Sequence, residues 1–210
     1  MESDVDMRRI LLFLSGMTLA AYAVLRPLLL RWGTRDDEAT RPMPGDELIL
    51  YPHVSATFAV DIDAPTRVVW HWLLQMTESG AGFAALRGLQ GASQTLPVEV
   101  GMILADDYAV MDVRAENLLV LHGPGEGPRV TTYIWQLEAT SPTTTRLVFR
   151  YWQAAFGLFG IFYNIFSESA QFILRQVWLR TLRQRAKNST QTLVLSKDKS
   201  NGHFRIPLEN

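Results

Sequence analysis

The sequence predicts an α+β domain in which a curved antiparallel sheet wraps around a long C-terminal helix, preceded by one N-terminal transmembrane helix. Three observations predict this architecture. An apolar stretch lies near the N-terminus, strand-like runs separated by turn signals fill residues 55–151, and a helix-periodic segment runs from Ser167 to Lys187. Antiparallel strands followed by a long helix are typical of a two-layer α+β domain.

Composition narrows the classes of function. The chain has 210 residues, of which 48% are hydrophobic, enough for one domain with a sizeable core. Twenty Lys and Arg against 21 Asp and Glu leave a formal charge of -1, which argues against a nucleic-acid partner. Cysteine is absent, and the four histidines have no partner at i+3 or i+4. We therefore predict no metal site and no cofactor.

The apolar stretch predicts a transmembrane anchor over residues 1–32. Sixteen residues from Ile10 to Leu25 carry no charge, Arg26 interrupts the run, and Leu28–Leu30 extend it. At about 1.5 Å per residue, a helix from Ile10 to Leu30 would reach roughly 30 Å, the thickness of the hydrocarbon core.

A cleaved secretory signal is the alternative interpretation of this segment. Arg8 and Arg9 resemble its basic start, and Ala21–Ala23 resembles a cleavage site. The retained span is favoured because the apolar run continues past that site. Two arginines lie near the first end of the span and three, Arg26, Arg31 and Arg35, lie near the other, so the positive-inside rule predicts a single-pass membrane protein with its main domain in the cytoplasm.

Sequence punctuation sets the remaining domain boundaries. Residues 33–53 are charged and rich in proline, which predicts a linker rather than a packed element. The folded domain is predicted over residues 54–187. Residues 188–210 lack sustained periodicity and are predicted to form a loose C-terminal tail.

Periodicity within the domain predicts its elements. Alternation over residues 55–62 indicates a strand, and Asp63-Ala64-Pro65 then starts a short amphipathic helix. Five further strands are predicted near Met102–Asp106, Ala109–Ala115, Leu118–His122, Val130–Glu138 and Thr145–Tyr151. The long helix has Glu168 near its start and basic residues at its end, as the helix dipole favours.

Parity along the strands assigns their faces. One face is predicted to carry Met111, Val113, Leu119, Leu121, Tyr133, Trp135, Leu137, Leu147 and Phe149. The opposite face carries Arg114, Gln136, Glu138 and Arg150. The first face is apolar enough to line a ligand pocket beneath the long helix.

Several motifs resemble the START-like helix-grip superfamily, also called SRPBCC or polyketide cyclase/dehydrase-like, in a membrane-anchored bacterial type. VDIDAPTRVVWHWLLQM, from Val60 to Met76, is similar to its opening pattern, and Ala81-Gly82-Phe83 to the A-G-[WF] that follows. LPVEVGMI, Thr145-Arg146-Leu147-Val148 and the segment Ala170–Lys187 resemble later parts of the pattern. The likeness spans residues 55–187 and implies the helix-grip fold. It does not imply one activity, because the superfamily includes carriers, receptors and cyclases.

The predicted ligand-binding residues are aromatic: Trp72, Phe83, Tyr133, Trp135 and Phe149. We expect a membrane-anchored binding or carrier protein for an apolar small molecule or lipid. Ordinary core packing explains the same aromatic residues, so a scaffold with a filled pocket is one alternative. An enzyme of the polyketide cyclase/dehydrase kind is another.

No catalytic residue is assigned, and enzyme activity is not the favoured interpretation. The residues that parity directs inward are almost wholly apolar, and Tyr133 is the one evident inward hydroxyl. Asp106, Asp107, Tyr108 and Glu116 could supply acid–base groups, but they lie at predicted turns, where solvated carboxylates are ordinary. The sequence makes no prediction of the oligomeric state.

A last prediction concerns residues 151–166, which contain no charge. Aromatic residues at steps of three and four, from Trp152 to Phe166, would form a stripe on one helical face. This pattern predicts a helix that lies in the membrane interface beside the N-terminal helix. A buried entry to the closing helix is the alternative.

Overall fold

The computed structural model describes residues 2–78, 98–104, 107–125, 129–155 and 171–192. The helices are α1 (Glu2–Leu30), α2 (Thr66–Glu78) and α3 (171–192). The strands are β1 (Val54–Ile62), β2 (Ala109–Arg114), β3 (Leu118–Pro124), β4 (Arg129–Ser141) and β5 (Thr144–Ala155).

The strands form one antiparallel sheet in the order β1-β5-β4-β3-β2. β2 to β5 follow one another as neighbours, and β1 pairs with β5 from Val54 opposite Gln153 to Ile62 opposite Thr145. The first strand therefore pairs with the last one. This arrangement, with α3 after the sheet in the sequence, confirms the α+β prediction of an antiparallel sheet with a C-terminal helix.

One face of the sheet, the inner face, packs against α2 and α3. Phe58, Leu121, Trp135, Leu147 and Phe149 are buried there together with apolar residues of both helices. The helices contribute Val69, Leu73 and Met76 from α2, and Trp178, Leu179, Leu182 and Ala186 from α3. Each large side chain buried in this way contributes about 1.5–3 kcal/mol of hydrophobic stabilisation. The packing of α3 on the sheet agrees with the sequence-based prediction.

Parity fails at one inner-face position, Met111. Val110 pairs with Leu121 and Asp112 with Val120, so β2 carries a bulge that shifts the register between them. A bulge adds one residue to one strand and reverses the alternation beyond it. Val110 is consequently fully buried in the core, whereas Met111 is 41% exposed.

Residues 33–53, which we call the strap, are packed on the outer face of the sheet. Met43 is buried there against a second apolar cluster formed by Ala59, Leu118, Val120, Ile134 and Val148. Gly45 begins a short 3-10 turn with φ of 98°, and a Cβ at this position would lie 2.7 Å from Val120 Cγ1. The prediction of an unpacked linker is therefore wrong, because Met43 and Gly45 of this segment lie in close contact with the sheet.

Two buried arginines of β5 hold the strap. Arg146 donates from Nη2 and Nε to the carboxylate of Glu38 at 2.6 and 2.9 Å. Arg150 donates to Asp46 Oδ2 at 2.7 Å and to the backbone oxygens of Glu38 and Arg41 at 2.8 and 2.9 Å. The parity prediction that Arg150 lies on the outer face is confirmed, but the strap covers this residue.

Contacts between the strap and β5 shift the pKa values of Glu38, Arg146 and Arg150. Burial raises the pKa of Glu38, but hydrogen bonds from Arg146 and from the Arg35 amide, with the charges of Arg146 and Arg41, outweigh burial and lower it. The hydrogen bond with Glu38 raises the pKa of Arg146 against the opposing effect of burial. For Arg150, burial outweighs the favourable charge of Asp46 and lowers the pKa.

Three predicted boundaries differ from the structure. α3 continues to residue 192, so the first five residues of the predicted tail are helical. Residues Tyr151–Ala155 belong to β5 rather than to a helix, because they pair with β4; residues 156–166 lie outside the described residues. Of the predicted strand Met102–Asp106, the structure describes a single bridge between Ile103 and Ala109.

Candidate functional site: the aromatic interior and its mouth

Stacked rings fill the space between the inner face and α3. We call this group the aromatic interior: Phe58, Tyr133, Trp135, Phe149, Tyr151 and Trp178. Trp135 and Phe149 stack with their ring centres 5.3 Å apart, and Trp178 of α3 lies 6.1 Å from each of them. Phe58 stacks on Phe149 at 6.0 Å and on Tyr151 at 6.3 Å. Such aromatic pairs add about 0.5–1.5 kcal/mol beyond the area they bury.

The structure brings together three of the five residues predicted to contact a ligand. Tyr133 lies 5.6 Å from Trp135 and 6.0 Å from Phe149, ring centre to ring centre. Trp72 is on α2, where its Nε1 donates to Ser189 Oγ at 2.9 Å and Arg185 lies over its ring at 5.1 Å. It therefore joins α2 to the end of α3. Phe83 lies outside the described residues.

Two indole groups in the interior are buried without a hydrogen-bond partner. Trp135 is 1% exposed and Trp178 is 8% exposed. In the described part of the chain, neither Nε1 has an acceptor. Leaving a buried donor unpaired costs about 1–3 kcal/mol. A hydrogen-bond acceptor placed beside either indole would remove this cost.

Sequence reasoning misses several aromatic residues in or beside the aromatic interior. Periodicity assigns Phe58 and Trp178 only to apolar faces of their elements, although their rings stack with the predicted ligand residues. Tyr108 lies at a predicted turn, but it is buried and its ring centre lies 5.3 Å from that of Tyr133. Periodicity predicts which face of an element a residue occupies but not which residues of other elements it contacts. Only Trp178 could have been predicted as a member of the interior, because it is an aromatic residue at a core position of the closing helix.

A small crevice opens at one end of the aromatic interior, beside α1. Its volume is about 10 Å³, room for about one water molecule. We call it the mouth; its lining is Tyr22, Arg26, Leu29 and Leu30 of α1, Phe58 and Tyr151 of the sheet, and Phe172 of α3. The four α1 residues recur at steps of four, three and one, so one face of this helix borders the domain.

An arginine of α3 lies next to the mouth. The guanidinium carbon of Arg175 sits 3.6 Å from the ring centre of Tyr151. Its Nη2 donates to Gln171 Oε1 at 3.0 Å, whereas its buried Nη1 has no partner in the described part of the chain. Gln176, the next residue, has both amide atoms buried and equally unpartnered there. Polar hydrogen-bonding capacity is thus left unused beside an apolar crevice.

Carboxylates and histidines are not gathered around the aromatic interior in the described part of the chain; the interior itself contains the hydroxyls of Tyr133 and Tyr151. Asp107 and Glu116 are exposed, with φ of 62° and 61° that fit turn positions; Asp106 lies outside the described residues. Burial lowers the pKa of His122, whose Nδ1 lies 2.9 Å from Thr132 Oγ1. His122 and Thr132 occupy outer-face positions of their strands, so they do not face the aromatic interior.

The apolar character of α1 fits a membrane span. Within the described residues, Leu12–Leu30 is the one helical stretch, 19 residues long, with the length and composition to cross a bilayer, and none of it is buried. A signal sequence near an N-terminus has the same properties. The structure therefore provides a possible membrane helix without establishing that it crosses a membrane.

Comparison with known proteins gives distant structural similarities. No family model matches the chain, and no curated protein does. A hypothetical protein of Helicobacter pylori is 12% identical with a TM-score of 0.47, covering 73% of this chain and 98% of its own. A protein of Arthrobacter aurescens is 14% identical with a TM-score of 0.45, covering 74% and 90%. The Zhui aromatase/cyclase of Streptomyces sp. R1128 is 12% identical with a TM-score of 0.33, covering 50% and 69%. Because these values are low, the similarities assign neither a family nor an activity.

Proposed function

We propose that this chain is a membrane-anchored protein of the helix-grip type that binds an apolar small molecule or lipid between its sheet and α3. The observation that supports the proposal is the pair of unpartnered indole donors, Trp135 and Trp178, within the described part of the aromatic interior. Ligand sites combine an apolar lining with a few polar groups of this kind. A bound ligand with an oxygen acceptor would satisfy at least one of them.

A scaffold with a filled interior is the second candidate. The close stacking of Trp135, Phe149 and Trp178 and the small volume of the mouth favour it. Binding requires these rings to separate, so a ligand must replace their contacts. The enzyme alternative has less support, because the described residues of the interior include no carboxylate and no histidine, the commonest general acids and bases.

The test is to identify what the purified protein retains. Full-length protein is isolated in detergent, extracted with organic solvent and analysed by mass spectrometry. A binder is expected to retain one lipid-like compound in near-stoichiometric amount, beyond what detergent micelles alone carry. Absence of such a compound, with the protein folded, favours the filled scaffold.

A matched variant links retention to the unpartnered donor. Trp178→Phe keeps an aromatic ring but removes the N–H, so the retained amount should fall about tenfold if that donor holds the ligand. The control is Trp72→Phe, because Trp72 donates to Ser189 outside the aromatic interior. Equal retention by both variants would contradict a role for the Trp178 donor.

A further inference from the structure

Resting on the proposed binding function, we infer that the mouth binds a single-chain amphiphile with an acidic head group, and that Arg175 binds the head. The apolar crevice has room for about one water molecule as it stands, so its lining side chains would have to move apart to accept the start of the chain, and the guanidinium would face the anion. Arg175 stands on α3 one turn from Phe172, which lines the mouth, and it stacks on Tyr151, which also lines it. Residues three apart on a helix share a face.

The state of Arg175 supports an anionic partner. A guanidinium has five N–H donors and is always charged. Among the described residues, Arg175 is paired with no carboxylate, donates to one amide oxygen, and has a buried Nη1 without a partner. Arg175 is partly buried, and even partial burial of a charge without a counter-ion is unfavourable. Carboxylate and phosphate groups are the anions that a guanidinium binds best, in a bidentate manner.

The neighbouring polar group fits the same ligand. Gln176 follows Phe172 by four positions, and its buried amide has a donor and an acceptor that no described residue uses. The amide donor can supply a further hydrogen bond to an anionic head, and the acceptor can serve a hydroxyl or a protonated head. The polar end of the site is therefore built on one turn of α3.

The position of α1 explains why the ligand should be a lipid-like amphiphile rather than a free anion. Tyr22, Arg26 and Leu30 form part of the wall of the mouth. If α1 spans the bilayer, Arg26 lies at the interfacial end of the span, where arginine and tyrosine are favoured. Lipid head groups lie at that depth, so a single-chain acid can enter the mouth from the bilayer without crossing water.

The experiment uses full-length protein in phosphatidylcholine nanodiscs and two photoactivatable probes of the same chain length. One is a diazirine-bearing palmitic acid and the other a diazirine-bearing hexadecanol, at equal mole fraction. After irradiation, adduct yield is measured by intact-protein mass spectrometry. We expect the acid to label the protein about tenfold more than the alcohol.

Variants locate the effect. Arg175→Gln should reduce acid labelling to the level of the alcohol, and Arg175→Lys should retain part of it because the charge remains. The control is Arg183→Gln, which removes an exposed arginine from the same helix and should change neither yield. If Arg175→Gln does not fold, the acid-to-alcohol ratio of the unaltered chain decides the matter by itself.

The outcomes separate the two proposals. Equal labelling by acid and alcohol, or an acid yield that Arg175→Gln leaves unchanged, overturns the head-group inference while apolar binding stands. Background labelling by both probes contradicts the binding function itself. Displacement of the acid probe by sodium phosphate or sodium acetate would identify a free-anion site and overturn the amphiphile inference.

Discussion

At the scale of single residues, we expect the stability of the fold to depend most on the Glu38–Arg146 ion pair. Glu38 comes from the strap and Arg146 from β5, and both are buried. Two charge-assisted hydrogen bonds join them, and Arg146 also donates to the Gly33 oxygen at 2.7 Å. A buried ion pair adds little stability compared with a pair of apolar residues in its place. Removal of one partner alone is strongly destabilising, because the other charge is left buried and unpaired.

Glu38→Gln is therefore expected to lower the free energy of unfolding by roughly 3 kcal/mol, because it leaves the Arg146 charge buried without its main counter-ion. Chemical denaturation of the full chain in detergent measures the change. Asp61→Asn is the control: Asp61 also contacts Arg146, at 3.4 Å, but is partly exposed. Its loss should cost less than about 1 kcal/mol. Equal effects of the two substitutions would contradict the role assigned to burial.

The same pair predicts a pH dependence. Because the pKa of Glu38 is lowered in the folded chain, its stabilising contribution is complete above the ordinary glutamate pKa. It is lost as the pH falls through the lower folded-state value. The unaltered chain should thus lose stability on acidification more steeply than Glu38→Gln, and parallel losses of stability for the two proteins below the ordinary glutamate pKa would refute this.

Residue-level prediction from the sequence succeeds where alternation is regular. Trp135, Leu147 and Phe149 occupy the inner face as parity predicts, because β4 and β5 pair without interruption through this region. Met111 departs from the prediction because a bulge depends on the partner strand, which alternation within β2 does not reveal. The partners of Arg146 are equally hidden, since Glu38 lies 108 residues earlier in the sequence.

At the scale of elements, the strap changes how the sheet is stabilised. Its proline and glycine content resembles a linker, and only tertiary contact turns it into a cover for the outer face. Gly45 permits the approach: it has a positive φ and sits against Val120 and Ile134. Sequence composition predicts that this segment contains turns, but it does not predict which surface of the domain the segment packs against.

Gly45→Ala should destabilise the chain by about 2 kcal/mol, from left-handed backbone strain plus the clash with Val120. Gly101→Ala is a matched control, because Gly101 has φ of 90° but a Cβ added there would meet nothing within 4 Å. It should show the strain alone, about 1 kcal/mol. Thermal denaturation of both variants gives the comparison, and a Gly101→Ala cost equal to that of Gly45→Ala would argue against close packing of the strap.

At the scale of the whole molecule, the strap joins the apolar helix to the sheet. Deletion of residues 1–31 is expected to abolish carbonate-resistant membrane association and leave a folded domain, because the strap remains. The full-length protein should retain its N-terminus, as determined by mass spectrometry. A mature chain that begins near Val24 would instead identify a cleaved signal.

Deletion of residues 1–53 should have a different result. It exposes the outer-face cluster around Val120 and Ile134 and leaves Arg146 and Arg150 without their partners in the strap. We expect aggregation or loss of the cooperative melting transition, seen by light scattering and circular dichroism. A soluble, cooperatively folded product would show that the strap is dispensable.

The packed strap has a consequence for turnover in the cell. In an anchored protein whose joining segment contributes nothing to folding, a protease that cuts between anchor and domain releases an intact soluble fragment. Here a cut between Glu38 and Met43 would separate two parts of the segment that covers the sheet. If α1 is a membrane anchor, the domain released by this cut would lose the contact of Glu38 with Arg146, so cleavage at this point should lead to degradation rather than to shedding.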